Sequence, residues 1–141
     1  MSGLSSLASL EGRWKLSRVI EHAQGTVDYL EGTTTFHRAG QQMIQDEEGL
    51  LSQDSVAMPL KATRRYLWSQ VRNRLECAFD DGRPFHTVPL GTATPETVFL
   101  CPPDRYAVSY MFDSRNSWTA TWKVSGPRKD YTMTSTYTRM S

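Results

Sequence analysis

Residues 104 to 139 carry the clearest pattern in the chain. Apolar or aromatic side chains recur at every second position: Tyr106, Val108, Tyr110 and Phe112; Trp118, Ala120, Trp122 and Val124; Tyr131, Met133 and Tyr137. Strand side chains alternate faces, so this spacing predicts three consecutive strands sharing one aromatic face. The intervening positions hold Thr119, Thr121, Lys123, Thr132, Thr134, Thr136 and Thr138, which suits a solvated sheet surface of high β-propensity.

The same alternation, interrupted by turn residues, runs through the rest of the chain. Trp14, Leu16, Arg18 and Ile20 share one face of a first strand that opens at Gly12. Thr33 to His37 and Gln41 to Gln45 read as a hairpin around Ala39-Gly40. Residues 46 to 60, with Asp-Glu-Glu-Gly, Ser-Gln-Asp-Ser and Pro59, break the pattern and read as a loop or irregular edge. Strands are expected again over Ala62 to Gln70 and Arg72 to Asp80, then Phe85 to Leu90 and Glu96 to Cys101. Asp80-Asp81-Gly82 is a strong hairpin signal, and Pro102-Pro103 stops the last of these strands. Before them all, Leu4, Leu7 and Leu10 are three apart, which predicts a helix of about two turns over Ser2 to Leu10. Nine or ten short strands with no other helical pattern point to an all-β fold, an antiparallel sandwich or barrel. At 141 residues the chain reads as a single domain over 1–141.

Gly12-Arg13-Trp14 opens the first strand and Arg139 ends the last. In a closed up-and-down barrel these strands are neighbours, and an arginine there can lie across the Trp14 ring as a cation–π plug. In this pairing, in its length and in the N-terminal helix, the chain resembles the lipocalin and calycin superfamily. That resemblance implies an antiparallel up-and-down β-barrel with a short N-terminal helix over one end.

Longer runs carry a second resemblance: Ala62-Thr63-Arg64-Arg65-Tyr66-Leu67-Trp68, Phe79-Asp80-Asp81-Gly82-Arg83-Pro84-Phe85-His86, Cys101-Pro102-Pro103-Asp104-Arg105-Tyr106 and Gly126-Pro127-Arg128-Lys129-Asp130-Tyr131. With Gly12-Arg13-Trp14 they look like an uncharacterised bacterial domain-of-unknown-function family. Two positions depart from the family pattern, Phe99 in place of a His and Gln45 in place of a Tyr. The resemblance implies relatives without fixing a function.

Composition narrows the function classes. Sixteen basic and 15 acidic residues leave a formal charge of +1, which gives no electrostatic reason to expect nucleic acid or an anionic membrane. No apolar run reaches the roughly 20 residues that a membrane helix requires. Met1 to Leu10 lacks a basic segment followed by a continuous apolar one, so no export signal is read. Cys77 and Cys101 sit in apolar strand contexts and are expected as buried free thiols in a reducing cytoplasm.

The candidate chemistry follows from strand parity. Arg18, Arg64 and Arg139 lie on the same faces as aromatic neighbours. A guanidinium facing inward needs a carboxylate, a ring face or an anionic ligand; Arg64 can pair with Glu76 or Asp104. Tyr66, Tyr106, Tyr110 and Trp122 can line a cavity with Arg18 and Arg64, and Lys129 in the Gly126–Tyr131 turn can reach a ligand at the barrel mouth. A planar guanidinium suits carboxylate or phosphate. The leading reading is a binding barrel for a small aromatic or anionic molecule. Two alternatives stay open: an enzyme using the same cavity with His86 and Asp104 as acid and base, and a scaffolding domain with a filled barrel. A surface or hairpin position is expected for His86. The spacing of His22, His37 and His86 matches no zinc pattern, no cofactor motif is present, and no Gly-x-Ser-x-Gly elbow or phosphate-cradling glycine loop occurs. Homo-oligomerisation is left open.

Overall fold

The computed structural model describes residues 3–53 and 56–140. A 3-10 turn at Leu7–Leu10 precedes ten strands: β1 (Gly12–His22), β2 (Val27–Ala39), β3 (Gln42–Gln53), β4 (Leu60–Val71), β5 (Arg74–Phe79), β6 (Pro84–Pro89), β7 (Glu96–Cys101), β8 (Asp104–Ser114), β9 (Ser117–Ser125) and β10 (Asp130–Arg139). They form one antiparallel sheet in the order β6-β5-β4-β3-β2-β1-β10-β9-β8-β7, an up-and-down barrel that is nearly closed. Among the described residues no hydrogen-bonded ladder joins β6 to β7. That seam is filled by side chains: the Phe99 ring lies 5.4 Å from Phe85 and 6.2 Å from Phe79.

Strands β1 and β10 meet as a closed barrel requires, with Trp14 opposite Arg139. The Arg139 guanidinium lies 4.2 Å from the centre of the Trp14 ring. It also donates to the carbonyls of Ser9, Glu11 and Arg115, while the Trp14 indole donates to the carbonyl of Leu10. The plug therefore ties the N-terminal turn to β1, to β10 and to the turn between β8 and β9. Leu7 and Leu10 are buried and Leu4 packs against the core below Trp68 and Leu75. The expected two-turn helix is a single 3-10 turn, because a leucine every third residue matches three residues per turn, not 3.6. Ser2 lies outside the described residues.

A second correction concerns residues 46 to 60. β3 continues to Gln53 and pairs with both β2 and β4; residues 54 and 55 lie outside the described residues. Its inward positions are Met43, Gln45 and Glu47, all buried, so the strand alternates but carries no apolar signature. Gly32 of β2 faces Gly49 of β3, and a Cβ on Gly32 would run into the Glu48 carbonyl. The two glycines let the backbones of β2 and β3 approach closely at this point. The two thiols are free, but only Cys77 is buried; Cys101, the last residue of edge strand β7, is exposed. No helix in the described residues is long and apolar enough to cross a membrane.

Candidate functional site

The barrel interior is polar at its centre. Glu47 is buried and accepts four hydrogen bonds: Arg18 Nη2 to Oε1 at 2.8 Å, and Gln45 Nε2, Tyr137 Oη and Thr34 Oγ1 to Oε2 at 2.8, 2.8 and 3.0 Å. Arg18 also donates from Nε to Ser135 Oγ at 2.7 Å and from Nη2 to Tyr137 Oη at 3.2 Å. The Gln45 carbonyl accepts from the Trp68 indole at 2.8 Å. Burial alone would lower the Arg18 pKa, but the neighbouring Tyr137 oxygen and the Glu47 carboxylate outweigh it and hold it above the ordinary value. A charge removed from water needs such complete satisfaction. Cross-strand register builds it: Glu47 faces Thr34 on β2, and Arg18 faces Ser135 on β10.

Beside this network His86 and Tyr110 stack at 5.9 Å and share a hydrogen bond of 2.7 Å between Nε2 and Oη. The expected surface position for His86 is overturned: it is buried, with Phe85 before it also buried. The β5–β6 register shifts between Cys77 and Ala78, and such a bulge lets two consecutive residues turn inward. Burial pushes the His86 pKa down to about 3, so the ring is neutral. Burial also raises the Tyr110, Tyr137 and Cys77 pKa values. His86 does not meet Asp104, whose carboxylate lies 3.3 Å from Lys129 Nζ; among the described residues the hydrogen-bond partner of His86 is Tyr110, not a carboxylate.

A cavity of about 20 Å³ lies between these groups, bounded by Arg18, Tyr66, His86, Tyr110, Trp118 and Trp122 among others. That is room for about one water molecule. His86 and Trp118, which both border it, each carry a buried ring nitrogen with no hydrogen-bond partner among the described residues, Nδ1 and Nε1. A larger open depression of about 620 Å³ on the outside of β2, β3 and β4 holds His37, Asp46 and Arg65. Asp46 there bonds to Arg65 at 2.6 Å and to His37 at 3.0 Å, while Arg64, Glu48 and Asp80 line it without a salt bridge among the described residues.

The sequence candidates fall into two layers. Arg18, Tyr110 and Trp122 bound the inner cavity with Tyr66. Arg64, Tyr106 and Lys129 stand nearer the end away from the N-terminal turn. Arg64 is half-buried, its guanidinium 5.6 Å from the Trp122 ring centre, and its hydrogen bond goes to Tyr66 Oη at 3.3 Å. It contacts neither Glu76, which pairs with Arg74, nor Asp104. Lys129 donates to Tyr106 Oη at 2.9 Å; that bond, offset by burial and aided by Asp104, raises its pKa. Missed from the sequence were Glu47, Gln45, Thr34 and Ser135, which look like surface residues one at a time. Their strand parity with Met43, Phe36 and Met133 was the available signal.

The match to known sequences is decisive on kinship. The chain belongs to DUF6314, a family of unknown function, whose model matches residues 10–139. Among curated proteins none matches the sequence. Solved structures similar to this DUF6314 member include the S-type phycobiliprotein lyase CPES from Guillardia theta, with a TM-score of 0.64 at 8% identity over 95% of this chain and 90% of that one. A protein of unknown function from the DUF3598 family of Nostoc punctiforme PCC 73102 gives a TM-score of 0.69 at 11% identity; the likeness covers 98% of this chain but 50% of that one. A redesigned β-barrel, mFAP0, bound to DFHBI, gives 0.50 at 15% identity over 93% and 99% of the two chains. At these identities the likeness is one of fold.

Proposed function

We propose that this DUF6314 protein is a non-enzymatic small-molecule-binding barrel that takes an aromatic, anionic ligand through the mouth formed by Arg64, Tyr66, Tyr106 and Trp122. One observation carries the reading: Arg64 is a half-buried cation held against Trp122 and Tyr66 with no carboxylate within salt-bridge distance among the described residues. Arg18 is already neutralised by Glu47, and Lys129 by Asp104, so Arg64 is the cation of this group best placed to receive an anion. Tyr66 and Tyr106 each meet Trp122 edge-on, at 6.3 and 6.2 Å, and with Phe85 they give the mouth an aromatic lining that an aromatic ligand can pack against once the rings part. A phycobiliprotein lyase and a barrel bound to DFHBI among the structural neighbours support the use of such a fold for small molecules. The free thiols of Cys77 and Cys101 support a cytoplasmic setting.

The small cavity favours a second reading, a scaffolding domain with a filled barrel. Drug-sized ligands occupy about 300–1,000 Å³, so binding requires the mouth side chains to part. Titration of aromatic carboxylates and phosphates, followed by tryptophan fluorescence and thermal shift, separates the two. Binding should quench fluorescence, and Arg64→Met, which keeps the stem and removes the charge, should weaken it about tenfold without lowering the melting temperature. If no compound binds and the interior stays filled, the scaffolding reading replaces this one.

A further inference from the structure

The unpartnered atoms of the inner cavity specify the chemistry of what enters it. Trp118 Nε1 is a donor only. For His86 the tautomer follows from Tyr110. This phenol keeps its proton, and its hydroxyl has His86 Nε2 as its hydrogen-bond partner among the described residues. A hydroxyl donating to Nε2 leaves the ring proton on Nδ1; the opposite tautomer would strand both the phenol proton and the Nδ1 lone pair. The second unpartnered atom is thus also an N–H. Arg18 adds Nη1, which makes no hydrogen bond among the described residues. The acceptors of the interior, in contrast, are already engaged: Glu47 Oε2 takes three hydrogen bonds, and Glu47 Oε1 and the Gln45 carbonyl take one each.

We infer that the inner cavity is a binding subsite for an uncharged carbonyl oxygen, which the N–H groups of His86 and Trp118 would receive. The inference rests on the binding reading above and names the inward end of that ligand. A carboxylate fits this subsite poorly. Arg18 and Glu47 already cancel, and His86, Tyr110, Tyr137 and Cys77 are all neutral, so a second carboxylate would be a buried charge without a counter-charge. A hydroxyl or water also fits by size, but it brings a proton for which Tyr110 Oη and the second lone pair of Glu47 Oε1 are the acceptors left. A carbonyl oxygen brings two lone pairs and no proton, and about 20 Å³ matches a group of its size. The remainder of the molecule, a ring carrying an anionic group, would lie toward Tyr66, Trp122 and Arg64.

Three para-substituted benzoates test this, because they share the anionic end and differ at the other: 4-acetylbenzoate, 4-ethylbenzoate and terephthalate. Calorimetric titration should show 4-acetylbenzoate binding about tenfold more tightly than either of the others. Trp118→Phe should shrink the ratio of 4-acetylbenzoate to 4-ethylbenzoate affinity from about tenfold to about twofold or less. In ¹⁵N NMR of the folded protein the His86 ring should carry its proton on Nδ1, and the Trp118 indole N–H should shift on adding 4-acetylbenzoate. Equal binding of acetyl and ethyl compounds, or a proton on Nε2, overturns the carbonyl subsite and leaves the binding reading standing. Absence of binding by all three overturns both.

Discussion

Glu47 is the residue on which the interior turns. Its Oε2 receives three donors, from Thr34, Gln45 and Tyr137. In Glu47→Gln an amide N–H₂ would have to face either those donors or Arg18, and the Arg18 charge would lose its counter-charge. Breaking a buried pair in this way costs about 3–5 kcal/mol, and urea denaturation should show a loss of that order. Arg18→Met combined with Glu47→Gln should recover part of it, since no unpaired charge is left and the amide oxygen can keep the donors from Thr34, Gln45 and Tyr137; a double variant no more stable than the single would contradict this account of the pair. None of this was legible residue by residue. Arg18 was readable as an inward cation from its parity with Trp14 and Leu16, but its partner is 29 residues away and becomes visible only once β1, β2 and β3 are in register.

His86 makes a second prediction at the same scale. Its pKa lies at about 3 in the folded protein against 6.5 for the free side chain. Between those values the unfolded chain binds a proton that the native state refuses. The contribution is therefore fully present above about pH 6.5 and is lost as pH falls toward 3. From pH 7 to pH 5 the wild-type protein should lose about 2 kcal/mol more stability than His86→Gln, which keeps a hydrogen-bond acceptor for Tyr110. Parallel pH dependences in the two proteins would show that His86 is not buried neutral.

At the scale of elements, the strands that the sequence announced are those whose buried face is aromatic. β8, β9 and β10 alternate as Tyr106, Val108, Tyr110 and Phe112 do, and the structure buries or half-buries every one of those positions. β3 alternates as strictly, but with Gln45 and Glu47 inside it, and hydrophobicity cannot report a polar interior. The bulge that turns His86 inward is flanked by Pro84, the first residue of β6, but a proline there also reads as an ordinary strand start; the register shift emerges only from the pairing of β5 with β6. Closure, by contrast, was readable from Trp14 and Arg139, since only adjacent first and last strands bring them together. Trp14 is 1% exposed and anchors the N-terminal turn through Leu10, so Trp14→Ala should cost about 3–5 kcal/mol in chemical denaturation. A loss under about 1 kcal/mol would mean that the plug contributes little beyond surface decoration.

The molecule as a whole joins a sealed end to a yielding one. The N-terminal turn, Trp14 and Arg139 close the first, with Trp68, Phe112 and Trp118 packed above them. At the other, Arg64, Tyr66, Tyr106 and Trp122 are only half-buried, and the β6–β7 seam between the two ends is held by phenylalanines without a hydrogen-bonded ladder. A sheet missing one ladder can widen by side-chain repacking more cheaply than a fully bonded barrel. That gives an aromatic ligand a route inward despite a resting cavity of about 20 Å³. The claim that the interior serves binding meets its most direct test in native mass spectrometry of protein purified from its own host. The account expects the chain to carry a small organic adduct that leaves on denaturation and is depleted in Arg64→Met. A spectrum of bare 16.0 kDa chain alone, from a preparation whose crystals show the same closed interior, would contradict it.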